Sequence, residues 1–227
     1  CVPTGVFINA MRPVDLAIPL IEAAKAGEVA IIVSTPPPQQ EEYNPEGEVL
    51  LFDEFNDNSN NWYLDEYLDA YIDISESEML MELYSDNIYI YSDIMGSNYD
   101  SVIIGVDITI YNPSGDGDFG IICGYQDDGN FTALEISEDG YYSIWAFEND
   151  EYVSLLEWTD SDIIPQDGFY TLSAYCGADR LGMGVNGTFL GESINPAYLA
   201  GGVGLLAGTY NNPDLSVGFD NFVVYQP

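Results

Sequence analysis

From Val49 to the C-terminus, short apolar or alternating runs recur along the chain, each closed by Gly, Asp or Asn. They are VLLFDEF (49–55), MLMELY (79–84), SVIIGVDITIY (101–111), FGIICGY (119–125), FTALEIS (131–137), YYSIWAF (141–147), FYTLSAYC (169–176), VGLLAGTY (203–210) and SVGFDNFVVY (216–225). A period of two places alternate side chains on opposite faces of a strand. With the weaker runs between them, the pattern predicts about a dozen strands and an all-β, two-sheet antiparallel jelly-roll sandwich. The turns DDGN (127–130), EDGY (138–141) and VNGT (185–188) carry the Asp-Gly and Asn-Gly chemistry of tight hairpins. In YYSIWAF, Tyr142, Ile144 and Ala146 share one face, while Tyr141, Ser143 and Trp145 share the other. One of these sets must be core.

The first 34 residues follow a different pattern. RPVDLAIPLIEAAKAG (12–27) has Pro13 placed for a first helical turn and Gly27 placed just past a helix end. Arg12, Asp15, Glu22 and Lys25 fall on one stripe, and aliphatic residues occupy the rest of the circumference. EVAIIVS (28–34) suits a strand buried on both faces. Residues 35–48, with three consecutive prolines, form a stiff extended spacer, so the chain divides into an apolar arm (1–34), a spacer (35–48) and a body (49–227). So apolar an arm has to be buried against its own body, a neighbouring subunit or a membrane surface. The expectation is that Val29, Ala30, Ile31, Ile32 and Val33 dock on another copy by strand addition, a head-to-tail contact that propagates into a filament.

Composition narrows the chemistry. The chain has 39 acidic residues, 3 basic residues and no histidine, for a net charge of −36. Nucleic acid is thereby an improbable partner. Without histidine there is no Ser-His-Asp or Cys-His catalysis and no His-liganded metal site. Hard oxygen ligands for calcium are in excess, and Asp116-Gly117-Asp118 and Asp127-Asp128 cluster carboxylates in turns. Cys123 and Cys176 both lie in strand-like contexts. In an oxidising compartment they pair, and buried free thiols are the alternative. For Cys1, lipidation at the head of a bacterial lipoprotein and pairing with another chain both stay open. Asn130-Phe131-Thr132 and Asn186-Gly187-Thr188 are glycosylation sequons. No apolar run is long enough to span a membrane as a helix, so membrane contact is expected only through a lipidated Cys1.

The order LFDEFND followed by a Trp, then GDFGIICGYQDDGNFTALEISEDGYYSIWAF, VNGTFLGE, GGVGLLAG and a closing VGFDNFVVY, resembles the concanavalin A-like lectin and glucanase superfamily. Within it the match is to the laminin-G-like jelly-roll modules of bacterial surface proteins and lipoproteins, over residues 49–227. The resemblance implies a jelly-roll body. It also implies a structural calcium ion tying first strand to last, for which Asp53, Glu54 and Asp220 are the matching positions. Such a sandwich hosts lectins, glycosidases and structural modules alike. The glucanases of the superfamily carry a Glu-x-Asp-x-Glu run on one strand. The nearest approaches here, Asp73 to Glu78 and Glu135 to Asp139, lack that spacing, so no catalytic residue is assigned.

Sugar binding would use aromatic platforms, with Trp62, Trp145 and Trp158 as the candidates. The sequence therefore leads to a non-enzymatic, extracellular or cell-surface structural protein that self-assembles through its arm. Its alternative is a surface lipoprotein whose jelly-roll binds glycans, with glycoside hydrolysis behind both.

Overall fold

In a computed structural model, the structure describes residues 47–166, 168–194, 196 and 200–227. The arm, including Cys1 and Val29–Val33, and most of the spacer lie outside these residues.

The strands are β1 (Val49–Asp53), β2 (Asp65–Glu66), β3 (Ala70–Ser75), β4 (Glu78–Leu83), β5 (Ile88–Asp93), β6 (Val102–Asn112), β7 (Asp118–Asp127) and β8 (Asn130–Ser137). They continue with β9 (Tyr141–Glu148), β10 (Glu151–Asp160), β11 (Phe169–Cys176), β12 (Arg180–Val185), β13 (Thr188–Ile194), β14 (Gly202–Thr209) and β15 (Leu215–Tyr225). All pairings are antiparallel, in two sheets. One runs β13-β12-β11-β6-β15-β4-β3-β2, with β1 added to β15; the other runs β10-β9-β8-β7-β14-β5. The centre of each sheet pairs strands distant in sequence, β11-β6-β15-β4 in one and β7-β14-β5 in the other, as in a jelly roll, and the pattern of apolar runs anticipated this class. Six strands, β2, β3, β5, β10, β12 and β13, are additions to the runs read above.

The core fills the space between the sheets. Met79, Met81, Ile104, Ile108, Leu172 and Phe219 face it from the larger sheet, and Phe119, Ile121, Leu134, Ile136, Ile144, Val203 and Leu205 from the smaller. Of the two faces of β9, the one carrying Ile144 and Tyr142 is therefore core, and Trp145 points away from it. Cys123 of β7 and Cys176 of β11 are fully buried and joined by a disulfide that links the two sheets. Asn186 and Gly187 both have positive φ (50° and 74°), so the VNGT turn has the two left-handed residues of a tight hairpin.

The proposed calcium ligands are dispersed. Asp53, at the end of β1, is buried. Its carboxylate accepts hydrogen bonds from Phe55 N (2.8 Å), Asn60 Nδ2 (2.8 Å) and Trp62 Nε1 (2.7 Å), which uses its lone pairs on protein donors. Asp220 on β15 accepts from Asn221, Asp116 accepts from the backbone and side-chain amides of Asn211, and Glu54 is exposed. Asp118 starts β7 in the other sheet. Among the described residues no three acidic or cysteine side chains come together to hold a metal ion. The closest approach to the expectation is that Asp116 and Glu138 each keep one buried carboxylate oxygen without a hydrogen bond.

Candidate functional site

The face of the smaller sheet that turns away from the core carries aromatic residues where a solvated sheet would carry polar ones. Pleating and register put them there. On β5, Tyr89, Tyr91 and Asp93 alternate with the inward Ile88 and Ile90. On β8, Phe131, Ala133 and Glu135 pair with Phe147, Trp145 and Ser143 of β9, and Tyr152 of β10 stands beside Phe147. On β14, Gly204, Leu206 and Gly208 lie opposite Asp93, Tyr91 and Tyr89.

Seven of the rings form one connected set, and Trp158 and Tyr210 form a separate pair. Trp145 meets Tyr89 edge-on at 5.8 Å between centroids, Phe131 at 5.6 Å, Phe147 at 5.4 Å and Tyr152 at 5.6 Å. Tyr91 packs on Tyr125 at 5.9 Å and on Phe131 at 5.4 Å, while Trp158 meets Tyr210 at 6.3 Å. Ile122, Phe131, Ala133, Trp145 and Leu206 are buried in this second apolar cluster, separate from the main core.

Two clefts adjoin this face and share Ile88 and Tyr89; the larger wraps the β5 edge to reach Asp69 and Ala70. The smaller, of about 180 Å³, has Glu135 and Asp118 among its lining, beside Trp145, Tyr152, Trp158 and Tyr210. Glu135 is almost wholly buried in the middle of an apolar strand. Its Oε1 accepts from Ser143 Oγ (2.9 Å) and from Trp145 Nε1 (2.6 Å). Among the described residues no donor reaches Oε2, which leaves one acceptor for a ligand. A side chain at Gly208 would strike Asp118 Oδ1, so the glycine makes the space that this second carboxyl occupies. Burial pushes the Asp118 carboxyl up to about 7, and burial together with the charge of Asp118 raises Glu135 well above the usual range.

The larger cleft, of about 440 Å³, has Tyr63, Tyr67, Tyr89, Tyr91 and Tyr125 as its aromatic lining and Asp69, Asp93 and Asp128 as its acids. Tyr91 and Tyr125 both donate their hydroxyls to Asp128 Oδ1 at 2.7 Å. Those two bonds hold the Asp128 carboxyl below its usual range and fix the rings.

The three candidate tryptophans part company here. Trp62 is a correction: it is buried in the core between Phe55 and Phe222, with its indole N–H on Asp53, because it sits in the bridge that closes the start of the body onto Ile94. Trp145 is the floor of the smaller cleft, and only Trp158 offers a partly exposed ring there. The two sequons lie in hairpin turns. The Asn130 amide donates to Asp127 Oδ1, and the side-chain oxygen of Asn186 accepts from the Thr171 amide. Glu135, Tyr89, Tyr91, Tyr125, Tyr152 and Tyr210 went unassigned from sequence. The one signal for them was a lone Glu in phase with Phe131 and Ala133 in FTALEIS.

No family model matches the chain, and no curated protein matches it. Solved structures do. A carbohydrate-binding module of Bacillus subtilis, CBM66, aligns at 15% identity over 73% of this chain and 96% of its own, with a TM-score of 0.57. A Bacillus licheniformis β-glucanase aligns at 12% identity over 80% and 99%, TM-score 0.57. A Bacillus subtilis protein described as having a galectin-like fold aligns at 11% identity over 79% and 96%, TM-score 0.56. These likenesses show the fold, a two-sheet antiparallel jelly roll.

Proposed function

We propose that this protein is an extracellular glycan-binding protein whose site is the aromatic groove on the non-core face of the smaller sheet. One observation carries the reading: tyrosine and tryptophan rings line a cleft that holds a buried carboxylate with one oxygen, Glu135 Oε2, met by no donor among the described residues. Flat rings accept the apolar faces of sugars, and a few placed acceptors orient their hydroxyls. The likeness to a carbohydrate-binding module and to a glucanase supports this choice among the uses of the fold. A disulfide between the sheets fits an oxidising compartment.

The reading is binding without turnover. Asp118 and Glu135 stand on adjacent strands, not in the alternate run of carboxylates that the glucanases of the superfamily carry on one strand. Self-assembly through Val29–Val33 draws on residues outside the described region, and the groove takes precedence over it.

The test is affinity electrophoresis through gels containing neutral polysaccharides, with wild type beside Trp158→Ala and Tyr152→Ala. Removing a stacking ring is expected to weaken retardation about tenfold, the equivalent of about 1.4 kcal/mol. Retardation by a polysaccharide that both variants leave unchanged would move the site elsewhere, and no retardation by any glycan would end the reading.

A further inference from the structure

The larger cleft is chemically unlike its neighbour. Three of its hydroxyl donors are spent internally: Tyr91 and Tyr125 donate to Asp128, and Tyr63 donates to Asp65 at 2.6 Å. Beside the aliphatic Ile88 and Ile90, it turns mainly ring faces, hydroxyl oxygens and carboxylates toward a ligand. Asp93 is the decisive group. It is 9% exposed, lines the cleft, and among the described residues takes a hydrogen bond on its carboxyl only from its own backbone amide. A largely buried carboxyl with one backbone donor keeps acceptor capacity that a ligand's donors can fill. Protein cations do not: among the described residues the one basic side chain is Arg180, which lies over the Tyr175 ring at 4.8 Å, on strands of the other sheet.

We propose that this cleft is an ammonium subsite, taking the protonated amine of an amino sugar between the carboxyls of Asp93 and Asp128 and the ring faces of Tyr89, Tyr91 and Tyr125. The inference rests on the glycan-binding reading and adds to it the class of glycan. An ammonium group brings three donors and a positive charge. The first meets the Asp93 carboxyl, and the second meets both the carboxylates and the negative faces of the tyrosine rings. Gly204 opposite Asp93, with no side chain on this face, leaves the acid approachable from the β14 side. A net charge of −36 works in the same direction, drawing cationic glycans in and turning uronic or sulfated ones away.

Isothermal titration at physiological salt with three hexasaccharides tests this: β-1,4-linked glucosamine, its N-acetylated form and cellohexaose, with spermine as a cation that is not a sugar. The glucosamine hexamer is expected to bind about tenfold or more tighter than the two neutral ones, since a charged hydrogen bond and a cation–ring contact each exceed their neutral counterparts. Asp93→Asn should bring the glucosamine hexamer down to the level of cellohexaose. Asp128→Asn, an exposed position, should weaken it in the same direction and covers the case in which the buried variant folds poorly. Glu192→Gln makes the same charge change on exposed β13 of the other sheet and should alter nothing. Equal affinities for all three hexamers would overturn the ammonium subsite while leaving glycan binding standing. So would an equal loss in Glu192→Gln, which would reduce the effect to overall charge. Binding of spermine without any hexasaccharide, or of nothing, would overturn the subsite and the glycan reading together.

Discussion

At the scale of single residues, the groove is a place where the fold keeps carboxyls out of water. For a buried acid whose pKa is raised, the folded state holds a proton that the unfolded chain has already released. Between the ordinary value of 3.8 and about 7, Asp118 therefore makes folding less favourable as pH rises. Glu135 and Asp93, also raised by burial, act with the same sign. Asp116 and Asp128 are lowered and act the other way, but their contribution is lost only as pH falls below the ordinary carboxylate range. Thermal stability is thus expected to decline from about pH 4.5 to pH 8. Asp118→Asn should flatten that decline and raise stability at pH 8 by about 2 kcal/mol, or roughly 4–8 °C for a chain of this size. A melting temperature in the variant that follows pH as steeply as wild type would show that Asp118 is not the group responsible. The pairing of Asp118 with Glu135 could not be read from the sequence. They stand on adjacent strands, brought to one cleft by the register of Gly120 on Glu135, and a search for alternate carboxylates along one strand passes over them.

At the scale of elements, period-two alternation was enough to place β6, β7, β8, β9, β11 and β15 within a residue or so of their observed bounds. It could not say which face of β9 is core, because Tyr142, Ile144 and Ala146 are about as apolar as Tyr141, Ser143 and Trp145. Only the facing sheet decides that, and it placed Trp145 in the groove. Trp62 fails for a related reason: it belongs to no run, and its burial follows from the Ile94 bridge and the Asp53 acceptor, both set by tertiary contact. The disulfide lends itself to a direct measurement. It joins β7, which carries Asp118 and Cys123, to β11 in the other sheet across a separation of 53 residues. Closing a loop of that length removes about 4 kcal/mol of chain entropy from the unfolded state. The double variant Cys123→Ala with Cys176→Ala, which leaves no free thiol at either position, is expected to lose about 2–4 kcal/mol in denaturant unfolding under non-reducing conditions. A loss below about 1 kcal/mol would mean that the apolar core alone fixes the two sheets.

For the whole molecule, the same acids pull stability and solubility in opposite directions. At neutral pH a net charge of −36 opposes any contact between copies, even though large apolar side chains such as Phe52, Leu68, Phe189 and Ile194 remain exposed on the body. As pH approaches the isoelectric point of about 4.1, that repulsion vanishes while the apolar side chains stay where they are. Light scattering across a pH series should therefore find monomer at pH 7–8 and reversible association below about pH 5, in the range where single copies are most resistant to heat. Monomer persisting to the isoelectric point would mean that these exposed side chains are too scattered to form a contact. Defined oligomers at pH 7 would call for an apolar contact strong enough to overcome the charge. If those oligomers were lost on removing residues 1–34, the arm would supply that contact, and the assembly expected from the sequence would be restored beside the groove. Glycan binding by the shortened chain would then show that the two functions occupy separate parts of one protein.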